Sequence, residues 1–161
     1  MFTDNNYPTH TEDVGQFLKK FLEPSFENLQ DIKILVAYFS VKGFSEIFKG
    51  LQNIFHNSGK VSLVIGLNNR PDREILEAGI KEITDDEIVK FDKKFIEDLG
   101  KLDTLSEKYR IALFAFLIKK GYLEVKFAKM INENSEFHPK IYILKDTDQN
   151  IVASTGSTNL T

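Results

Sequence analysis

Two short apolar runs, Asp31 to Phe39 (DIKILVAYF) and Val61 to Gly66 (VSLVIG), constrain this chain more than any other feature. Each is rich in β-branched and aliphatic residues along nearly its whole length, which suits a strand buried on both faces. Between them Phe44, Ile47, Phe48, Leu51, Ile54 and Phe55 recur at the spacing of one helix face. Gly43 punctuates the first run, and Asn57-Ser58-Gly59 ends the helical one. Strand, helix and strand at this spacing make a βαβ unit, which predicts two parallel strands joined by a right-handed crossover.

The remainder reads as a helical middle followed by strands. Pro71 stands near the start of a helix from Asp72 to about Glu82, since proline is tolerated in a first helical turn. Thr84 to Glu87 (T-D-D-E) forms a capping box, followed by Ile88, Phe91, Phe95 and Leu99 at helical spacing. Gly100 breaks that stretch, and a further helix runs from about Leu105 to Lys120, where Gly121 stops it. Tyr122 to Lys129, His138 to Lys145 and Asn150 to Thr155 read as extended. The last two are joined by Asp146-Thr147-Asp148-Gln149, a polar tetrad expected to turn a hairpin. Without repeats or Pro/Gly-rich linkers, residues 1–161 are expected to form one α/β domain with a mixed sheet and flanking helices.

Composition narrows the chemistry. With no cysteine there is no disulfide, thiolate metal site or cysteine nucleophile. Three separated histidines, His10, His56 and His138, make a zinc site an unattractive reading. The longest apolar run, Ile111 to Ile118, falls short of the roughly 20 residues of a membrane span and is expected to be a buried helix. The opening MFTDNNYPTHTED lacks the basic and apolar regions of a secretory signal, so a cytoplasmic location is expected. Net charge is −3, which does not suit a stand-alone nucleic-acid binder. Lys119, Lys120, Lys126, Lys129, Lys140 and Lys145 nevertheless gather towards the C-terminus, either as solvated surface or as a phosphate-facing patch. Ser58-Gly59-Lys60 is no P-loop, because Val61 follows and position 54 is Ile.

Chemistry concentrates in Phe137 to Thr161 (FHPKIYILKDTDQNIVASTGSTNLT). His138 and Lys140 are two apart, so on a strand both point to one face. Ser157 and Asn159 have the same spacing and share a face if that segment stays extended, while Gly156 permits close backbone approach or an unusual dihedral. A hairpin would bring imidazole, ammonium, hydroxyl and amide together, a set suited to a phosphodiester: a nucleophile or acid, one fixed positive charge, and neutral donors.

His138-x-Lys140 followed by Gly156-Ser157-x-Asn159 resembles the active-site motif of the phospholipase D superfamily. The ending Gly156-Ser157-Thr158-Asn159-Leu160-Thr161 is similar to phospholipase D-like nuclease domains at the N-termini of helicases and restriction enzymes, as is ILVAYFSVKGFSEIF near the start. The position of the family's aspartate holds Lys145, with Asp146 beside it. The resemblance implies a phospholipase D-like half, cut short at its C-terminus, that cleaves DNA phosphodiesters as part of a larger helicase or restriction-type protein. His138 would form a phosphohistidine or protonate the leaving oxygen, Lys140 and Asn159 would hold phosphate oxygens, and Ser157, beside Gly156, would orient them. Two half-sites are needed, so the second would come from a homodimer partner or from the rest of a longer protein. No metal or other cofactor is implied, nor any membrane. A lipid phosphodiesterase of the same chemistry and a non-catalytic nucleic-acid-binding or dimerisation module are the competing readings.

Overall fold

The computed structural model describes residues 2, 7, 14–40, 43–44, 47–66, 107–128, 130–131 and 135–157. Five strands, β1 (Leu29–Val36), β2 (Val61–Gly66), β3 (Leu123–Ala128), β4 (Lys140–Asp146) and β5 (Ile151–Thr155), form one sheet in the order β3-β2-β1-β4-β5. β1, β2 and β3 run parallel, β4 is antiparallel to β1, and β5 is antiparallel to β4. The domain is thus α/β with a mixed sheet. Parallel β1 and β2, and the β4–β5 hairpin through Thr147 and Asp148, are as the sequence pattern requires.

Pairing places Ile32, Ile34 and Val36 of β1 beside Val61, Leu63 and Ile65 of β2, and beside Leu144, Tyr142 and Lys140 of β4. Because paired residues project to the same side of a sheet, these side chains form one continuous face. All of them are buried there. Each fully buried aliphatic or aromatic side chain contributes roughly 1.5–3 kcal/mol, so this face and its covering helices supply most of the drive to fold. The opposite face carries Lys33, Glu124 and Lys126 in the open, with Leu35, Val64, Ile141 and Ile143 half-buried.

Among the described residues, three longer helical segments contribute to that core. The first, α1, starts at Val14–Phe17, widens to π geometry over Leu18–Leu22, returns to α over Glu23–Ser25 and tightens to a 3₁₀ turn at Phe26–Asn28. It sends Phe17 against Tyr142, with ring centroids 4.7 Å apart. The second, α2 (Phe48–His56), is the crossover between β1 and β2. A side chain at Gly59 would collide with the Gln30 carbonyl, so only glycine lets the chain turn so tightly from α2 into β2. The third, α3 (Glu107–Lys119), buries Leu113 to Leu117 consecutively and meets Phe39 and Phe44 through Phe114. A helix buried on all sides needs no polar stripe, which explains the uninterrupted run IALFAFLI. No described helix is long and apolar enough to cross a membrane.

Several boundaries depart from the sequence expectation. The first strand begins two residues earlier, at Leu29, and stops at Val36, because the chain bends at Ala37 and Tyr38. α2 begins at Phe48, after a separate helical turn at Gly43–Phe44. β4 begins at Lys140 rather than His138, because Pro139 has no N–H to give to the ladder. α1 had no counterpart in the sequence reading. The helices expected between Asp72 and residue 106 lie outside the described residues.

Candidate functional site

β1 and β2 end at the same edge of the sheet at which β4 begins and β5 ends. In open α/β sheets the carboxyl ends of parallel strands are where ligands collect, since the chain must leave the sheet there and loops part. Val36, the last residue of β1, pairs with Lys140, the first of β4. Continuing that antiparallel register two residues outward sets Tyr38 opposite His138. Their rings meet nearly perpendicular, at a centroid separation of 5.9 Å.

Lys140 lies in the same face as Tyr142 and Leu144, at its rim, and is only 4% exposed. Its Nζ is 2.6 Å from Nδ1 and 2.8 Å from Nε2 of His138, and donates to the His138 carbonyl oxygen at 3.2 Å. The lone pairs of an imidazole diverge and only one nitrogen of the neutral ring carries one. The ammonium can therefore donate to only one ring nitrogen at a time, although it lies close to both. Among the described residues no carboxylate lies within ion-pair distance of Lys140. A buried ammonium without a carboxylate is costly unless something else supplies negative charge. His138 itself is exposed, so the pair joins an imidazole facing solvent to a positive charge recessed behind it.

The other residues singled out in the sequence are distributed unequally. The Gly156 N–H donates to the Lys140 carbonyl at 3.1 Å, which brings the Gly-Ser segment level with the His-x-Lys segment. Ser157 follows, exposed, in a bend, so the strictly extended arrangement does not hold there. Gly156 is crowded by no protein group within 4 Å and is not among the positive-φ glycines, so the unusual dihedral it would permit is not adopted. The space above it is open instead. Asn159 lies outside the described residues.

Among the described residues, Lys120, Lys126 and Lys145 do not converge on Lys140. Lys126 is exposed and paired with Glu124 at 2.8 Å, and Lys120 stands over the Phe116 ring at 5.8 Å. Lys145 projects from the opposite face near the far end of β4 and pairs with Asp31 at 3.6 Å. Lys129 and His10 lie outside the described residues, and His56 is an exposed residue of α2.

Asp146, next to the position where the motif would place an aspartate, has a different task. It is fully buried, and its carboxylate accepts from Phe2 N–H at 2.9 Å, Asp148 N–H at 3.0 Å, Asn150 N–H at 2.8 Å and Asn150 Nδ2 at 2.9 Å. Desolvation pushes the carboxyl upward, but these four donors outweigh it and hold the group below the ordinary carboxylate range. At about 3.3 Å per strand residue it stands more than 20 Å from His138, so it fixes the hairpin and the N-terminal Phe2 rather than a substrate.

Two neighbours of the pair were not singled out in the sequence. In the sequence Tyr38 is one residue of the apolar run Asp31 to Phe39, and nothing local marks it; the signal is the cross-strand register. Gly66, the last residue of β2, marks only the end of the strand in the sequence. A methyl group there would stand 2.9 Å from the Ala37 carbonyl oxygen and 3.1 Å from the Phe137 ring and carbonyl. Glycine thus lets the segment leading to His138 lie directly against the end of β2. Gly66→Ala is expected to displace residues 137–138 and to cost about 1–3 kcal/mol of overpacking strain. A chemical-denaturation midpoint lowered to that extent, with the largest amide shift changes at 37 and 137–138, would bear this out; a silent substitution would refute it.

Among the described residues no group of three His, Asp or Glu side chains could hold a metal ion. Compared with models of known protein families the chain matches none, and no curated protein matches it either.

Proposed function

We propose that the chain provides one half of a phospholipase D-like phosphodiesterase site that cleaves DNA, as part of a longer helicase or restriction-type protein in the cytoplasm. The observation that carries this reading is the Lys140 ammonium. It is almost wholly buried, has no carboxylate beside it among the described residues, and touches the ring of an exposed histidine. A phosphoryl group entering beside His138 supplies the missing negative charge. Lys140 then moves its donors from the ring to a non-bridging oxygen, which frees a ring nitrogen for attack.

The chemistry balances with two such halves. A His138 nitrogen forms a bond to phosphorus as the bond from phosphorus to the leaving oxygen breaks, and that oxygen takes a proton from the histidine of the second half. The same second histidine, now neutral, removes a proton from water, whose oxygen displaces His138 from phosphorus. Lys140 stabilises the charge spread over the equatorial oxygens throughout. Ser157 and Asn159 lie close enough in sequence to Gly156 to donate to those oxygens. The open space at Gly156 suits a backbone that must approach a phosphate. A second copy of the chain, or a later segment of the longer protein, supplies the other half.

The test is nicking of supercoiled plasmid in EDTA by the complete protein that contains this chain, beside its His138→Ala variant. The parent is expected to nick and to leave an acid-labile, alkali-stable phosphoryl adduct when quenched early, and His138→Ala is expected to do neither. Equal nicking by both, or none by the parent, overturns the assignment. Salt-dependent DNA binding without turnover, unaffected by His138→Ala, would instead make it a binding module.

A further inference from the structure

We infer that Tyr38 is the positioning residue of the candidate site: its ring sets the plane of the His138 imidazole so that one ring nitrogen faces the substrate. This deepens the proposed phosphodiesterase reading and rests on it. An exposed imidazole at the lead-in to a strand rotates about two bonds, and a nucleophile must be held within a narrow range of angles to react well. A carboxylate accepting from the far ring nitrogen is one way to hold it. Among the described residues His138 has no carboxylate partner; its contacts are Lys140 and Tyr38.

Lys140 alone does not fix the ring. An ammonium is a point-like donor with three rotatable hydrogens, and its Nζ lies almost equally close to both ring nitrogens, so it selects neither. It is also the group that must turn to the phosphate. The aromatic contact is directional in a way the ammonium is not. The two ring planes meet at 81°, the edge-to-face arrangement that the quadrupoles of aromatic rings favour. The backbone makes that contact reproducible. Val36 and Lys140 are locked in the ladder, so the two chains leave the sheet in register and Tyr38 faces His138 two residues on. Gly66 permits the close packing of Phe137 that keeps the second chain in place.

The contact is read first in the unaltered chain, by nuclear Overhauser effects between the Tyr38 ring protons and Hδ2 or Hε1 of His138. Their presence is expected, and their absence overturns the inference whatever the activity. Tyr38→Phe keeps the ring; it is expected to retain the His138 proton shifts and plasmid-nicking kcat within about twofold. Tyr38→Leu removes it; the His138 ring protons are expected to shift as the ring current is lost, with kcat falling about ten- to a hundredfold and KM little changed. Rescue by phenylalanine but not leucine marks a positioning role, which general destabilisation of the fold would not reproduce. Unchanged kcat in Tyr38→Leu beside an active parent overturns it. If the parent does not nick plasmid, the phosphodiesterase reading and the positioning role built on it fail together, whereas an active parent without the ring contact refutes the positioning role alone.

Discussion

Lys140→Met is expected to give a protein at least as stable as the parent that has lost nearly all ability to cleave DNA. Methionine has a stem of similar length and no charge, so it can fill the rim of the core beside Tyr142 without a buried ammonium. Replacing buried charge by apolar volume is commonly neutral or stabilising, by about 1–4 kcal/mol where measured for ion pairs. The same substitution removes the only charge within reach of a phosphoryl group beside His138 among the described residues. Loss of one preorganised electrostatic contact costs about 10²–10³ in rate. The two effects separate in a thermal melt and a plasmid-nicking time course on one sample. A clear drop in melting temperature would mean that the ammonium is needed by the fold itself, and the case for an anion site would then collapse. A buried charge with no carboxylate beside it among the described residues is what a site that sacrifices stability for function would leave.

The second large effect concerns the other end of β4. Asp146→Ala is expected to destabilise the domain by roughly 3 kcal/mol, because four donors, three backbone and one side chain, lose a buried acceptor at once. Asp146→Asn should do nearly as badly, since its NH₂ group faces N–H donors where an oxygen accepted. The parent's stability should also depend on acidity in a defined direction. Its folded carboxyl titrates below the ordinary aspartate range, so the unfolded chain binds the proton more readily. The contribution is present in full above the unfolded pKa of about 4 and fades as pH falls through the lower folded value. Urea midpoints at neutral pH and near pH 3 should therefore converge between parent and Asp146→Asn in acid. A constant gap across that range would show that Asp146 does not carry the difference. Nicking by Asp146→Asn should persist wherever it remains folded, since the residue lies far from His138.

How legible the chain was depended on whether a signal was local. VSLVIG read as a strand and was one, residue for residue, because a short β-branched run bounded by Gly59 and Gly66 has few other outlets. The hairpin was equally plain from Asp146 to Gln149. α1 is legible in hindsight, since Val14, Phe17, Leu18, Phe21 and Leu22 recur at the spacing of one helix face, but Pro24 follows closely and the helix is made worthwhile by burying Phe17, Phe21 and Leu22 in the core. Pro139 moved the start of β4, a single missing N–H that a run of apolar residues does not advertise.

The sequence by itself determined the parallel pair with its crossover, the hairpin, and the candidate residues His138, Lys140, Gly156 and Ser157, because periodicity and short spacings are properties of neighbours along a chain. Only the tertiary structure decided that Lys140 is buried without a carboxylate among the described residues, that Asp146 serves the hairpin, and that Tyr38 and Gly66 stand beside the candidate site. Those facts depend on strand order and register, which bring residue 38 to residue 138 and residue 66 to residue 137 across about a hundred and about seventy intervening positions. No local pattern encodes such a meeting; it follows from which strands pair and in what alignment.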